Sequence, residues 1–243
     1  MAATATSVVH PDDVAASRDD GDTAEVRVTF GPANGCDLLE QRVICFRPGR
    51  SRQRRLDARQ EVFYIVSGRG ELELDGEPHG LEPDMGVFVA SGETYAIVNP
   101  GPADLLVVSV LTPKDRRAAS GARRVTVRFA DQPELPASSE RTFRYLVNEE
   151  AGCFDVTQFM GIVQPSNAPF HSHAYDEVGY IVEGDGFAHL ERKSIALRAG
   201  SCFHLAPGQE HCIENSGSTP MRILGVFYPS GSPAAREYAD NNK

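Results

Sequence analysis

Four residues in the last third of the chain carry side chains that bind transition metals. His171 and His173 stand two residues apart, Glu177 follows shortly after, and His211 comes far downstream. In an extended strand, residues i and i+2 point to the same face, so the two nearby histidines can hold one ion together, and Glu177 shares their parity. Imidazole nitrogen and carboxylate oxygen suit iron, manganese, nickel, cobalt or zinc. Four such ligands on an octahedral ion leave two positions open for substrate, water or O2, which is typical of a catalytic site.

The chain repeats itself at an offset of 116 residues. Residues 61–70 (EVFYIVSGRG) are identical to residues 177–186 (EVGYIVEGDG) at seven of ten positions. Without a gap, the same offset aligns Gly92 with Gly208, Asn99 with Asn215, Leu74 with Leu190 and Leu81 with Leu197. A fixed offset held over this distance indicates an internal duplication.

The secondary-structure signals are those of an all-β protein. Short alternating or apolar runs, such as EVFYIVSG, ELELDG, VFVA and LLVVSVL, are separated by Gly, Pro, Asp and Asn. The predicted division is a disordered tail over residues 1–22, a domain over 23–112, a linker over 113–141, a domain over 142–230 and a mobile tail over 231–243. One strand in the linker (RVTVRF) is expected to pack on a domain.

The second copy resembles the two motifs of the cupin family. The first motif, H-x-H, three residues, E, six residues, G, falls on His171, His173, Glu177 and Gly184, and the second on Gly200, Gly208, His211 and Asn215. The sequence departs from the family at Pro165, where a glycine is expected, and at Pro207, which sits one place late. The resemblance implies a bicupin: two tandem jelly-roll barrels, with a degenerate metal motif in the first and an intact one, holding an ion in the barrel mouth, in the second.

The first copy lacks the metal-binding set. At the positions of the three histidines it carries Arg55, Asp57 and Tyr95, and only Glu61 matches a predicted ligand. A guanidinium cannot bind a cation, but beside Glu61 it would form an ion pair. We therefore expect Arg55 to take the place of the ion in the N-terminal barrel.

The residue two places after the carboxylate also differs between the copies. It is Phe63 in the first copy and Gly179 in the second. A phenyl ring fills space that a glycine leaves open. We therefore expect a filled N-terminal barrel, and room for a substrate above the metal in the C-terminal barrel.

The resemblance further implies a metal-dependent enzyme that acts on a small oxygenated metabolite. A site of three histidines and one glutamate is similar to those of quercetinase and oxalate decarboxylase. The first expectation is a mononuclear dioxygenase or related oxidoreductase with one divalent metal, Fe(II) or Mn(II) ahead of Ni, Co or Zn. The alternatives are a redox-neutral isomerase or lyase, such as a decarboxylase, of the kind found in secondary-metabolite pathways, and a non-catalytic cupin that binds a small molecule. Fold and ligand set do not choose among these chemistries, and no catalytic residue beyond the metal ligands is assigned.

Composition and charge limit the partners. The chain has 34 acidic and 24 basic residues and a formal charge of -10, which repels phosphate backbones and anionic membrane surfaces. It contains no apolar run of about 18 residues, and its first residues lack the apolar core of a signal peptide. The five cysteines, an odd number without a C-x-x-C pair, are expected to be reduced. We expect a cytoplasmic protein whose partner is a small-molecule substrate, with homodimerisation left open.

The arginines form one dense cluster and one scattered set. The cluster consists of Arg47, Arg50, Arg52, Arg54 and Arg55. In so acidic a protein these residues are expected to pair with neighbouring acids. The scattered residues Arg141, Arg144 and Arg222 are candidates to hold an anionic substrate, although the sequence does not fix which of them faces the site.

Overall fold

The computed structural model describes residues 7–116, 123–166, 169–190 and 193–235. Over these residues the chain forms β-strands, turns and short 3-10 helices, which span Pro11–Asp13, Pro32–Asn34, Phe129–Asp131 and Glu149–Ala151. Within the same residues, no helix is long and apolar enough to cross a membrane. The prediction of an all-β chain is confirmed.

The N-terminal barrel consists of two antiparallel sheets. Its strands are β2 (Ala24–Phe30), β3 (Glu40–Phe46), β4 (Gly49–Arg50), β5 (Arg54–Arg55), β6 (Arg59–Ser67), β7 (Gly70–Leu74), β8 (Glu77–Leu81), β9 (Met85–Val89), β10 (Thr94–Asn99), β11 (Leu105–Pro113) and the added β12 (Thr126–Arg128). The larger sheet runs β12-β9-β6-β11-β3-β2, and the smaller runs β4-β10-β7-β8 with β5 also on β10. Apolar side chains of both sheets, including Phe63 and Ile97, pack together inside the barrel.

The C-terminal barrel repeats this plan. Its strands are the added β1 (Val8–Val9), then β13 (Leu135–Ser138), β14 (Arg141–Val147), β15 (Thr157–Val163), β16 (Asp176–Glu183), β17 (Asp185–Leu190), β18 (Lys193–Arg198), β19 (Cys202–Leu205), β20 (His211–Asn215) and β21 (Met221–Tyr228). The larger sheet runs β1-β19-β16-β21-β15-β14-β13 and the smaller β18-β17-β20. Ile181 and Phe203 from one sheet meet Ile213 from the other inside the barrel. The predicted pair of tandem barrels is confirmed.

Each half of the chain lends a strand to the other half. β1 pairs with β19 of the C-terminal barrel, where Val8 lies opposite Phe203, and β12 pairs with β9 of the N-terminal barrel. Both arms cover a sheet edge that would otherwise present unpaired N–H and C=O groups. Residues 7–22 therefore belong to the fold, and the prediction of a disordered tail is wrong for them. Residues 1–6 lie outside the described part of the chain.

The connection between the barrels is more ordered than the sequence predicts. The predicted strand in RVTVRF forms β12 and packs on the N-terminal barrel. β13 and the first residue of β14, Arg141, already pair within the sheet of the C-terminal barrel, so this barrel begins before residue 142. Residues 117–122 of the predicted linker lie outside the described residues.

The largest apolar cluster lies between the two barrels. In β6 the side chain of Phe63 points into its own barrel, whereas Tyr64 points toward the other barrel. In β16, Ile181 and Tyr180 divide in the same way. This alternation follows from the two-residue period of a strand. It also decides that Glu177, which has the parity of Ile181, faces the interior of the C-terminal barrel.

The arginine cluster is paired with acids, as predicted. The ion pairs are Arg47–Glu25, Arg50–Glu73, Arg52–Asp19, Arg54–Asp22 and Arg55–Asp57. The Arg54–Asp22 pair differs from the others because Asp22 is buried. Asp22 also accepts hydrogen bonds from the backbone N–H groups of Arg52 and Ala24, at 3.1 and 3.2 Å. Burial acts to raise the pKa of Asp22, but these hydrogen bonds and the charge of Arg54 outweigh it, so the pKa lies below its ordinary value of 3.8.

We expect Asp22→Asn to lower the free energy of unfolding by about 1 to 3 kcal/mol at neutral pH, because it removes a charged acceptor from a buried site. A depressed carboxyl pKa stabilises the folded state above pH 3.8, and the contribution is lost as the pH falls through the folded pKa. The difference between variant and parent should therefore shrink in acid. Urea unfolding across this pH range measures it, and Asp20→Asn, at an exposed position, is the control. Equal stability of the two variants would contradict the role given to Asp22.

Candidate metal centre

Backbone pairing brings the first and last of the predicted ligands together. His171 and His211 form an isolated antiparallel bridge in which each backbone N–H donates to the other's carbonyl, at 3.0 and 2.9 Å. His211 opens β20 in the smaller sheet, and Glu177 lies on β16 in the larger sheet. The site therefore takes side chains from both sheets of the C-terminal barrel, which explains why residues far apart in sequence share it.

The three histidines form a compact, buried group. Their ligand nitrogens all lie within 4.8 Å of one another. The ring centroids of His171 and His211 are 4.5 Å apart, and that of His173 is 4.9 and 5.0 Å from them. Glu177 stands beside this group, with its Oε2 3.7 Å from Nε2 of His173. All four predicted ligands are thus buried at one place in the barrel.

Hydrogen bonds fix the tautomer of each histidine. In every ring Nδ1 faces a backbone carbonyl: His171 that of Pro169 at 3.1 Å, His173 that of Ala235 at 3.2 Å, and His211 that of Gln209 at 2.9 Å. A carbonyl oxygen only accepts, so Nδ1 carries a hydrogen, and in the neutral ring Nε2 keeps its lone pair. In histidines that bind a metal through Nε2, a carbonyl that accepts a hydrogen bond from Nδ1 orients the ring in this way.

The carboxyl group of Glu177 is buried in the C-terminal barrel. Burial raises its pKa to about 8, and the positive charge of Arg141 acts in the opposite direction. A divalent cation at the neighbouring histidines would favour the ionised carboxylate again. Three imidazole rings and one carboxyl group placed in this way fit a divalent transition metal.

Tyr175 and the segment after β21 hold His173 in place. The ring of Tyr175 stacks on that of His173, with centroids 4.8 Å apart, and on its other neighbour Phe227 at 4.1 Å. Its hydroxyl donates to the carbonyl of Ser232 at 3.0 Å. Residues 231–235, which the sequence assigns to a mobile tail, therefore pack against the site. Residues 236–243 lie outside the described residues.

A cavity of about 70 Å³ opens beside the histidines. Its remaining lining is mostly apolar and includes Phe143, Phe159, Val163, Phe203, Leu205, Ile213, Ile223, Phe227 and Pro233. Besides the four predicted ligands, its polar lining residues are Arg141 and Thr142. Of the three scattered arginines, only Arg141 lines this cavity. Arg144 pairs with Glu134 and Arg222 with Asp84, outside it.

The expected room above Gly179 is taken by an aromatic ring. A Cβ on Gly179 would lie 2.0 Å from the ring of Phe203, its partner across the β16–β19 pair. In the N-terminal barrel the equivalent cross-strand pair is Phe63 and Val87. The phenyl ring of this cross-strand pair therefore comes from β6 in the N-terminal barrel, but from β19, the partner of the equivalent strand β16, in the C-terminal barrel. The prediction that Gly179 leaves space for substrate is wrong, because the space belongs to Phe203.

The prediction that Arg55 pairs with Glu61 is also wrong. Arg55 is largely exposed and its Nε bonds to Asp57 at 2.8 Å. Glu61 instead accepts a hydrogen bond from the hydroxyl of Tyr95 at 2.7 Å and a short one from Ser109. Tyr95 stands at the position of His211, so a hydroxyl donor takes the place of a predicted metal ligand beside the carboxylate.

Comparisons with known proteins agree with this architecture. The family model described as cupin domain matches twice, over residues 42–111 and 159–227. The chain belongs to the cupin domain family and contains two such domains.

Two curated relatives match over one domain's length. An uncharacterized protein of Methanocaldococcus jannaschii is 34% identical over 65 residues, and an oxalate-binding protein of Thermotoga maritima is 34% identical over 63 residues. Each match covers 26% of this chain and 52% of the relative. The chain therefore spans about half the length of the curated relatives it matches.

Solved structures resemble the whole chain. A protein from Pseudomonas aeruginosa assigned as glyoxylate-induced superposes with a TM-score of 0.81 at 17% identity, over 96% of this chain and 92% of that one. A variant of oxalate decarboxylase from Bacillus subtilis superposes with a TM-score of 0.77 at 12% identity, over 98% of this chain and 81% of that one. At these identities the likeness establishes the two-barrel fold.

We expect Glu177→Gln to stabilise the metal-free protein in alkaline solution. The pKa of Glu177 rises from 4.5 to about 8 on folding, so the folded state holds an extra proton between these values and the free energy of unfolding falls as the pH rises. A glutamine cannot ionise and avoids this loss. At about pH 9 the variant should be more stable than the chelator-treated parent by on the order of 3 kcal/mol. Glu183→Gln, at the exposed end of the same strand, should show no such gain, and an unchanged pH profile for Glu177→Gln would contradict the assignment.

We expect Gly179→Ala to lower the free energy of unfolding by about 1 to 3 kcal/mol, because the added methyl group overlaps the ring of Phe203. Shortening that ring in the double variant Gly179→Ala/Phe203→Leu should recover part of the loss. Gly80→Ala is the matched control, since a Cβ there meets no atom within 4 Å. Thermal unfolding of the three variants makes the comparison, and a Gly179→Ala protein as stable as Gly80→Ala would show that the two residues do not compete for space.

Proposed function

We propose that the C-terminal barrel is the active site of a metal-dependent decarboxylase for a small dicarboxylate, similar in size and charge to oxalate. One divalent transition metal, Fe(II) or Mn(II), is held by the predicted ligands His171, His173, Glu177 and His211. When bound, the ion acts as a Lewis acid that stabilises negative charge on a coordinated carboxylate oxygen. The barrel's own residues supply the binding, orientation and exclusion of water.

The presence of Arg141 in the same cavity as the histidines carries this proposal. A guanidinium presents two parallel N–H donors that match the two oxygens of a carboxylate. A dicarboxylate can therefore place one carboxylate at the metal and the other at Arg141. Arg141 is held for this task by a hydrogen bond from its Nη2 to the carbonyl of Ile213.

The size and polarity of the cavity favour a small substrate. Its volume of about 70 Å³ holds roughly five water-sized groups, since one buried water needs about 10 to 15 Å³ on this scale. The aromatic rings of Phe159, Phe203 and Phe227 close the apolar sides. In a low-dielectric cavity the attraction between a carboxylate and a guanidinium is stronger than in water.

The proposed reaction is redox-neutral. The bond between the two carboxyl carbons breaks, one carbon leaves as CO2, and the other keeps the electron pair and takes a proton from solvent. This chemistry corresponds to the lyase alternative rather than to the dioxygenase that was the first expectation. The decarboxylase ranks ahead of the dioxygenase because two similar proteins are named for binding or decarboxylating oxalate.

A second candidate is a binding protein that holds the dicarboxylate without turnover. One observation favours it: within the described cavity lining, the ionisable side chains are Arg141 and the four metal ligands, so all are engaged in binding. A side chain dedicated to delivering a proton is absent from that lining. The oxalate-binding relative fits the same candidate.

We expect the manganese-loaded protein to bind oxalate and to release formate and CO2 from it. Arg141→Gln should lower kcat/KM by about 10- to 100-fold, because a charge-assisted hydrogen-bonded contact contributes about 1.5 to 3 kcal/mol. Arg144→Gln, which removes an arginine outside the cavity, should leave kcat/KM near that of the parent. Elemental analysis of His171→Ala should show loss of the metal.

The outcomes separate the two candidates. Oxalate binding that requires both the metal and Arg141, without release of CO2, would replace the decarboxylase with the binding protein. Failure of the metal-loaded parent to bind oxalate in calorimetry would contradict both. Equal losses in Arg141→Gln and Arg144→Gln would remove the role of Arg141.

A further inference from the structure

A second group of metal-binding side chains lies between the two barrels. It consists of Cys36, Asp176 and His204, whose ligand atoms all lie within 4.8 Å of one another. The exposed fractions of these residues are 0%, 7% and 7%. The ring of His204 and the carboxylate of Asp176 are already in contact, with Nε2 2.7 Å from Oδ1.

The strand period separates this group from the first site. Asp176 and His204 lie on β16 and β19, at positions whose side chains point away from the cavity that Glu177 and Phe203 line. Cys36 comes from the other barrel, where it follows Gly35, whose left-handed conformation (φ 87°) ends the 3-10 helix at Pro32–Asn34. The group therefore joins the N-terminal barrel to the outer face of the C-terminal barrel.

The duplication supplies an internal comparison. Cys153 occupies the place of Cys36 in the second copy, after the equivalent 3-10 helix and the left-handed Gly152. Across the interface it meets Gln60, whose Nε2 donates to its Sγ at 3.9 Å. Gln60 stands where the second copy has Asp176, and the position of His204 is Phe88 in the first copy. Only one of the two equivalent places thus combines a thiol, a carboxylate and an imidazole.

We propose that Cys36, Asp176 and His204 form a second metal site that binds Zn²⁺ and fastens the two barrels together. Thiolate, imidazole and carboxylate are the ligands that zinc takes in proteins, and the sulfur donor excludes Mg²⁺ and Ca²⁺. Nitrogen and oxygen ligands on tetrahedral zinc, with bonds of about 2.0 Å, lie about 3.3 Å apart. The His204 nitrogen and the Asp176 oxygen, now 2.7 Å apart, would have to separate by about 0.6 Å to reach this distance. Water completes the fourth position.

The same three residue types also occur in cysteine-dependent hydrolases, but burial argues against that role here. The Sγ of Cys36 is shielded by both barrels and the residue has no exposed surface. A nucleophile must reach its substrate. A small ion can enter such a site during folding, because the ligands come together only when the barrels dock.

Cobalt(II) is the probe, because it replaces zinc and gives an absorption band when it is bound by a thiolate. We expect the full-length, metal-free, reduced protein to show a thiolate-to-cobalt charge-transfer band. Cys36→Ala should abolish it, because the band requires the thiolate. Losing a direct ligand should also weaken cobalt binding by more than the roughly 10- to 100-fold loss that follows when a residue that only orients a ligand is removed. Cys153→Ala, the equivalent substitution in the other copy, should keep the band.

Two further variants control for the first metal site and for misfolding of Cys36→Ala. His171→Ala should retain the band, because the first site contains no sulfur ligand, so failure of the proposed function leaves this result untouched. Asparagine has nearly the same shape as aspartate but no negative charge, so Asp176→Asn should fold and should weaken cobalt binding. This variant tests the site even if Cys36→Ala folds poorly. The proposal is overturned if the parent gives no charge-transfer band, or if Cys153→Ala removes the band as completely as Cys36→Ala.

Discussion

The packing of the two barrels against each other, through the outer faces of β6 and β16, is the constraint on which the rest of the structure depends. Because side chains alternate along a strand, an apolar outer face commits the neighbouring positions to the interior. Tyr64 and Tyr180 lie in the shared core, and the carboxylates of Glu61 and Glu177 consequently point inward. The exchanged strands β1 and β12 reinforce the same interface. The geometry of the candidate metal centre in one barrel is therefore tied to the assembly of both.

The duplication placed a carboxylate inside each barrel, and the two barrels stabilise it differently. Glu61 receives hydroxyl donors from Tyr95 and Ser109. The corresponding positions in the C-terminal barrel are His211 and Gly225, which offer Glu177 no hydroxyl. A buried carboxylate is expensive to ionise unless hydrogen-bond donors or a cation are near. The same position is thus a hydrogen-bonded core residue in one copy and a predicted metal ligand in the other.

The sequence predicts what depends on local periodicity and on the repeat. The all-β architecture, the two barrels and the grouping of the three histidines with Glu177 all follow from strand parity and motif spacing. The ordered N-terminal arm, the packing of residues 231–235 on Tyr175 and the filling of Gly179's space by Phe203 depend on contacts between distant segments, which composition does not encode. Gly179 shows the difficulty most clearly. Its small size signals a close approach, but the sequence does not say whether a substrate or a side chain makes it.

Positions where the two duplicated barrels differ in side-chain chemistry indicate a functional site more specifically than a match to the cupin motif does alone. Where both copies keep one phenyl ring at a cross-strand pair but take it from opposite strands, as with Phe63–Val87 and Gly179–Phe203, packing alone explains the exchange. Where one copy replaces neutral groups with a buried ionisable set, packing gives no reason for the change, because desolvating charged groups costs several kcal/mol per ion. Cys36 with Asp176 and His204 is such a set, because the equivalent positions in the other copy hold Cys153, Gln60 and Phe88. In a duplicated protein, an uncompensated cost in one copy points to a ligand that the other copy does not bind.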